Sequence, residues 1–246
     1  MNLTGGIAWH WLAWRSQARW ANTSQAIAHW LLNQAQVFKP EGVTGQPSLL
    51  LIGASAGWMM SNKWLQQFAR VDTFDIDPLA AHLFKWRHGA ALKAHGVALH
   101  CHTQDALYDL PALLNAHPKA CVFFDNVLGQ VRFQRPATAW QQVEKDIDLI
   151  RKQLSGREWG SVHDRMSGPT VDLIQSHEAL PVRKSEWNDQ QWLTQLNAQS
   201  PWLDHLTHGV FAASNGSQLK GVQVQDFAWN FSPRYRHWLQ AGWVRP

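Results

Sequence analysis

The chain has 246 residues and a mass of 28.0 kDa, 45% hydrophobic and 16% charged, against roughly 25% charged in an average globular chain, which excludes a disordered, coiled-coil or charge-solvated protein. Twenty-two basic against eighteen acidic residues leave a net charge of +4 without a Lys/Arg block, so nucleic acid is allowed as a partner but not indicated. No run reaches the ~20 apolar residues of a membrane span, and the start, MNLTGGIAWHWLAW, reads as neither signal peptide nor anchor. Cys101 and Cys121 lie in apolar segments without metal-type spacing, as expected of reduced thiols in a cytoplasmic protein. Sixteen tryptophans beside 10 Phe and 2 Tyr are read first as a Trp-rich core.

In chain order, Ile7, Trp11, Trp14, Ala18 and Ala21 recur at helical steps, and a second helix is expected over 24–36. The segment FKPEGVTGQPS then breaks the helix with two prolines and two glycines, so residues 1–45 are read as a helical cap and 46–246 as the main domain. Strands follow at Ser48–Ile52, 73–76, 98–101, 120–124 and 161–163, with helices expected over 59–68, after Asp77-Pro78, and over 108–116 and 139–154. Strand followed by helix, repeated, implies a parallel sheet covered on both faces. Near the end, 210–213 and 222–231 flank the turn-rich SNGSQ and are read as an antiparallel hairpin.

Three places can carry chemistry. The first strand ends in Gly53-Ala54-Ser55-Ala56-Gly57, small residues that let the chain turn tightly and a ligand lie against bare backbone. Twenty-two residues after Gly53, Asp75 closes the second strand in FDIDP, where a nucleoside site places a carboxylate for the ribose hydroxyls. Asp77, directly before Pro78, fits a helix cap, and Asp72 reads as a solvated loop residue. Asp125-Asn126 and His163-Asp164 each end a later strand, which puts both pairs at the carboxyl edge of a parallel sheet. Such oxygen ligands can hold Mg²⁺, but orienting loops or substrate is the preferred duty and no metal is expected. Of thirteen histidines, His163 and His237 are kept with Asp164 as substrate-pocket candidates.

With IGASAG, FDIDP, HTQDAL, VFFDNVLGQ and WGSVHDR in order from Ser48 to Arg165, the chain resembles the class I S-adenosylmethionine-dependent methyltransferases. The resemblance implies a Rossmann-like, doubly wound, mostly parallel seven-stranded α/β sheet with S-adenosylmethionine as cofactor. It implies that Gly53, Ala54, Ser55 and Gly57 approach the methionine and ribose parts, that Asp75 with Ile76 holds the ribose, and that Asp105 with Ala106 faces the adenine. Asp125 and Asn126 would lie between cofactor and acceptor. The chain departs from the family in Leu51, where many members are acidic, and in Ser55, which replaces the central glycine. The fourth motif lacks the Asn/Asp-Pro-Pro-aromatic sequence of enzymes that methylate amino groups of bases or glutamine.

Two other readings stay open: a methyltransferase-like fold that binds without catalysis, and a serine hydrolase using Ser55 of Gly-x-Ser-x-Gly with Asp164 and one of His205, His208 or His237. The hydrolase lacks strands and an oxyanion segment upstream of Ser48, and Trp58 stands where a nicotinamide-binding loop needs a small residue. The preferred function is methyl transfer to a small-molecule or lipid-like acceptor. Trp9, Trp11, Trp14, Trp20 and Trp30 of the cap are expected to include rings that line an aromatic acceptor pocket.

Overall fold

The structure is a computed structural model that describes residues 6–35, 45–175, 178–212, 219 and 221–246. Its centre is an eight-stranded sheet in the order β3-β2-β1-β4-β5-β8-β7, with the short β6 paired to β5 off this path. The strands are β1 Ser48–Ile52, β2 Arg70–Asp75, β3 Ala98–Thr103, β4 Cys121–Asp125, β5 Trp159–Pro169, β6 Leu203–Asp204, β7 Val222–Ser232 and β8 Tyr235–Val244. Strands β1 to β5 pair in parallel, whereas β8 runs antiparallel to both β5 and β7. β1 (SLLLI) and β4 (CVFFD) are buried almost throughout, because helices cover both faces of a parallel sheet and leave no polar side to alternate with.

On one face α1 (Ile7–Ala35) lays Trp20, Ile27, Trp30 and Leu31 into a core shared with Trp64 and Phe68 of the α2 segment (helix Asn62–Leu65), Phe84 of α3 (Pro78–Phe84) and Leu92 of α4 (Ala90–Ala94). A π-helical stretch, Lys85–Gly89, joins α3 to α4. On the other face α5 (Leu110–Ala116), the short α6 (Val127–Gln130) and α7 (Trp140–Gln153) bury Leu110, Leu114, Leu128, Val143 and Ile147 in one core with Phe124 and Trp159. Between β5 and β7 the chain carries α8 (Asp189–Gln195), started by a reciprocal capping box of Asn188 and Gln191, and a third core of Trp192, Leu196, Ala228 and Trp238. Among the described residues no helix is long and apolar enough to cross a membrane.

Several expectations need correction. The two N-terminal helices are one helix of 29 residues. The weak formers Asn22-Thr23-Ser24 do not break it, because the Thr23 hydroxyl donates to the Ala228 carbonyl at 2.9 Å and that of Ser24 to the Trp20 carbonyl at 3.0 Å. The stripe of Ile7, Trp11 and Trp14 faces out, and the buried residues are His10, Ala13, Ser16, Trp20, Thr23 and Ile27, of which the small Ala13, Ser16 and Thr23 let the helix sit close on β7. The helix expected over 59–68 shrinks to Asn62–Leu65, begun by the Ser61 cap. The hairpin is displaced along the chain: its arms are β7 and β8 around Pro233-Arg234, while Val210 and Phe211 are buried apolar packing beside Trp159. SNGSQ, 214–218, falls outside the described residues. Asp72 is a fully buried strand residue rather than a solvated one. Burial opposes its charge, but Arg70 at 2.6 Å and His102 at 3.2 Å hold its carboxyl below the usual range.

Two buried histidines set an expected acid lability. Burial, reinforced by Arg87 and Arg165 respectively, lowers His88 to about 4 and His163 to about 3 from an ordinary 6.5. The unfolded chain therefore binds more protons as pH falls below 6.5, and the stability that these neutral imidazoles contribute is lost toward pH 4 and then 3 at about 1.4 kcal/mol per unit. The thermal midpoint should fall over that window, and His163→Phe should flatten the descent; an unchanged slope in that variant would show that His163 is not the group being protonated.

Candidate functional site

The loop after β1 is shaped by backbone that few residue types accept. Gly53, Ser55 and Gly57 have φ of 75°, 46° and 64°. A Cβ on Gly53 would lie 2.9 Å from both the Asp125 carbonyl oxygen and Val127 Cβ, and one on Gly57 would lie 2.5 Å from His88 Nε2. Ala54 and Ala56 are buried beneath the loop. From the end of β2, Asp75 accepts the Ser55 N–H at 2.7 Å through one oxygen and the Asp77 N–H at 2.8 Å through the other. Burial raises its pKa, and the two amides restrain that rise. Asp75 thus staples the glycine loop to the next turn and keeps further acceptor positions on its two oxygens.

Asp77 caps α3, accepting the Leu79 N–H at 2.9 Å. Its second oxygen accepts the Gly6 N–H at 2.8 Å and lies 3.1 Å from His10 Nε2, so it ties the start of α1 to this edge of the sheet. The Trp9 indole N–H donates to Ser55 Oγ at 3.2 Å and lays the ring over the loop. Ile76 is exposed beside Asp75. After β3, the Gln104 N–H donates to the Asp75 carbonyl, which places the Asp105-Ala106 turn on the same edge; Asp105 accepts the Leu107 and Tyr108 amides and Ala106 is buried.

Between the ends of β1 and β4 lies a cleft of about 60 Å³ lined by Gly53, Ser55, Asp125 and Asn126 with Trp9, Trp58, Met59, Val162, Trp229 and Leu239. Desolvation, helped by the nearby Asp75 carboxylate, raises Asp125 to about 7. Behind Asn126 the chain builds a tight polar cluster. Asn126, itself at φ 55°, donates through Nδ2 to Asp164 Oδ2 at 2.9 Å and accepts the Asp164 N–H at 2.9 Å. The other Asp164 oxygen meets His237 Nδ1 at 2.6 Å. Asp164 is fully buried, which works against its charge, yet His237, His205 and Asn126 outweigh that and hold its carboxyl well below the usual range.

With Nδ1 committed to Asp164, His237 keeps Nε2 without a hydrogen-bond partner among the described residues, and the ring sits in an aromatic enclosure. Its centroid is 4.9 Å from Trp229, 4.7 Å from Phe231 and 5.5 Å from Tyr235, and Phe231 in turn stacks on Trp9 at 6.3 Å. His205 stands 4.0 Å from Asp164, so Asp164, His205 and His237 are spaced as metal ligands could be. Both nitrogens of His205 are already taken, Nδ1 donating to the Gly129 carbonyl at 2.9 Å and Nε2 meeting Ser167 Oγ at 2.9 Å. A cation there would have to displace those bonds, so the set reads as a hydrogen-bonded scaffold.

The edge therefore gathers Gly53, Ser55, Asp75, Asp125, Asn126, Asp164 and His237. His163 does not join them: it is fully buried, bonded to Ser161 Oγ at 3.1 Å and packed on Phe211, because alternation along β5 turns Val162 to the cleft and its neighbour to the opposite face. Among the described residues no histidine is bonded to Ser55; its hydroxyl meets Trp9, while Asp164, His205 and His237 form a cluster of their own. Sequence reasoning missed Trp58, Met59, Ser167, Trp229, Phe231 and Tyr235, of which Trp229, Phe231 and Tyr235 lie on the β7–β8 hairpin. Alternating apolar residues through FAWNF, followed by the tight SPRY turn, were the signal for them.

No family model and no curated protein matches the chain. Among solved structures it is similar to an S-adenosylmethionine-dependent methyltransferase from Anabaena variabilis (12% identity, 97% of this chain and 94% of that one, TM-score 0.49). It is also similar to magnesium protoporphyrin IX methyltransferase from Synechocystis with bound S-adenosylmethionine (14%, 98% and 86%, 0.44) and to the N-methyltransferase NodS from Bradyrhizobium japonicum in complex with S-adenosyl-L-homocysteine (12%, 90% and 87%, 0.45). Five parallel strands ordered 3-2-1-4-5, extended by the reversed β8 inserted before β7, give this chain a Rossmann-like, doubly wound fold.

Proposed function

We propose that the protein is an S-adenosylmethionine-dependent methyltransferase acting on a small acceptor that carries a hydroxyl or another protic group on an aromatic or lipid-like body. The observation that carries this reading is the convergence, where β1 and β4 part, of a bare-backbone loop stapled by Asp75 with the raised carboxyl of Asp125. The donor set fits the cofactor. Gly53 to Gly57 admit close backbone approach, the free acceptor positions of Asp75 suit ribose hydroxyls, and Asp105 with Ala106 lies where an adenine would follow Ile76. Bound there, the cofactor supplies an electrophilic methyl group on a sulfonium cation.

The chain's own residues would do the rest by positioning and proton transfer. Trp229, Phe231, Tyr235 and Trp9 enclose an apolar acceptor and exclude water. His237, with Nδ1–H held by Asp164, presents the lone pair of Nε2 to take the acceptor's proton, as an imidazole oriented by a buried carboxylate does. The cleft is smaller than the several hundred Å³ of a small-molecule site, so Trp9 and the first turn of α1 swing aside on loading, breaking the contacts to Ser55 and Asp77.

Calorimetric titration with S-adenosylmethionine and S-adenosylhomocysteine tests the reading. Asp125 has its folded pKa raised, so the stability it contributes is present below the ordinary carboxylate range and lost as pH rises through about 7; a bound cation offsets that loss. Affinity for the sulfonium form should therefore climb as pH rises through about 7 while that of the uncharged homocysteine form changes little, and Asp125→Asn should remove the difference. Absence of heat with both ligands on folded protein would refute the assignment.

A further inference from the structure

The helices on the α1 face of the sheet carry an unusual combination of charge and exposed rings. Across α1, α2, and the continuous run from α3 to α4 there are six basic residues, Arg15, Arg19, Lys63, Lys85, Arg87 and Lys93, and not one Asp or Glu. None of the six is in an ion pair with a described residue, whereas α7 on the opposite face mixes Glu144, Asp146 and Asp148 with Lys145, Arg151 and Lys152. The same layer exposes Ile7 at 76%, Trp11 at 55%, Trp14 at 61% and Trp86 at 72%. Ile7, Trp11 and Trp14 form one outer stripe of α1, opposite the buried Ser16, Trp20 and Thr23, and Arg15 lies 4.6 Å over the Trp11 ring. Trp86 falls between the buried Phe84 and His88, so it too points away from the sheet.

We propose that this layer docks on an anionic lipid surface, with Ile7, Trp11 and Trp14 entering the boundary between headgroups and acyl chains and the basic side chains of the layer other than Arg87, which is held half-buried against Trp58, pairing with lipid phosphates. Indole rings are at home in that boundary, an amphipathic stripe flanked by basic residues binds it in plane, and each basic side chain near an anionic leaflet is worth about fivefold in binding. The absence of any acidic side chain on the layer's helices supplies the charge complementarity. A nucleic acid fits less well, because the rings stand on a convex helix rather than along a groove that could follow a phosphate backbone. The contact is independent of the methyltransferase reading and is measured without cofactor.

The test is co-sedimentation of the full chain with vesicles of phosphatidylcholine alone and of phosphatidylcholine mixed with phosphatidylglycerol, followed also by tryptophan emission. Binding should be confined to the anionic vesicles, shift the emission to the blue and weaken with salt. Arg15→Gln with Arg19→Gln should reduce it about thirtyfold, and Trp11→Ala with Trp14→Ala should abolish the blue shift. Trp11, Trp14 and Arg15 are exposed and Arg19 is half-buried, and an unchanged far-ultraviolet circular dichroism spectrum would confirm that both variants fold. No binding to anionic vesicles, or equal binding by wild type and both variants, would overturn the proposal. So would a self-associated species in light scattering that Trp11→Ala with Trp14→Ala dissolves, which would assign the face to a second copy. Binding of a single-stranded oligoribonucleotide, lost in the arginine variant while vesicles are ignored, would assign it to RNA.

Discussion

On the proposed methyl transfer, replacing His237 with alanine should lower kcat by about 10²- to 10⁴-fold, the usual worth of a positioned general base, and should leave the affinity for S-adenosylmethionine within about twofold of wild type. The argument rests on direction. Asp164 meets Nδ1 at 2.6 Å, which leaves Nε2 as the nitrogen that can accept a proton, inside a ring of Trp229, Phe231 and Tyr235. Asp164→Asn keeps the shape but offers an amide that can donate to Nδ1 and turn the proton to Nε2, so it should cost nearly as much as removing the imidazole. The reaction should be followed by release of S-adenosylhomocysteine with an acceptor found by screening phenols and amphipathic alcohols. A His237→Ala enzyme whose pH–rate profile and kcat match the wild type would show that the acceptor needs no base, or that another group supplies it.

Asp75→Ala and Asp77→Ala should act in opposite senses although the residues are neighbours. Asp75 receives two backbone amides, and hydrogen bonds to a charged group contribute roughly 1.5 to 3 kcal/mol each. Its loss frees the glycine loop and removes the ribose acceptor, so cofactor affinity should fall about a hundredfold. Asp77 holds the start of α1 through Gly6 and His10, and that start must move for the site to open. Asp77→Ala should therefore leave affinity unchanged or raise it, at the expense of about 1 kcal/mol of stability from the lost α3 cap. Parallel calorimetric titrations and thermal melts separate the two; equal losses of affinity would mean that α1 is not a latch.

What was legible in the sequence was local. Five short strands, of which β1 and β4 are near-continuous apolar runs, a small-residue turn and an acid at the end of the second strand follow from short-range rules, and Asp77 before Pro78 announces its own cap. What was not legible depended on partners far away in the chain. Asp72 reads as a loop residue until Arg70 and His102 are seen beside it. Thr23 looks like a break in α1 until the Ala228 carbonyl, 205 residues on, takes its hydroxyl. His205 and His237 are separated by 32 positions and meet only because the hairpin folds back on β5, and the hairpin itself was misplaced because SNGSQ is a stronger turn signal than SPRY. His163 was kept for its place at the end of a strand, but periodicity of two decides its face and sends it away from the cleft.

On the two proposals, the first turns of α1 serve two ligands at once. Gly6, Trp9 and His10 close the cofactor edge, while Ile7, Trp11 and Trp14 present the outer stripe, and the rest of the helix is fixed to the hairpin by bonds such as Trp20 to the Phe231 carbonyl. Two ligands that each bias one short segment are thermodynamically linked, and the linkage is reciprocal. By whatever factor an anionic bilayer changes the affinity for S-adenosylmethionine, the cofactor must change the affinity for the bilayer by the same factor. If the lipid surface draws the turn outward, the enzyme charges itself with methyl donor where an amphipathic acceptor is dissolved; if it presses the turn inward, the bilayer holds the enzyme uncharged until it leaves.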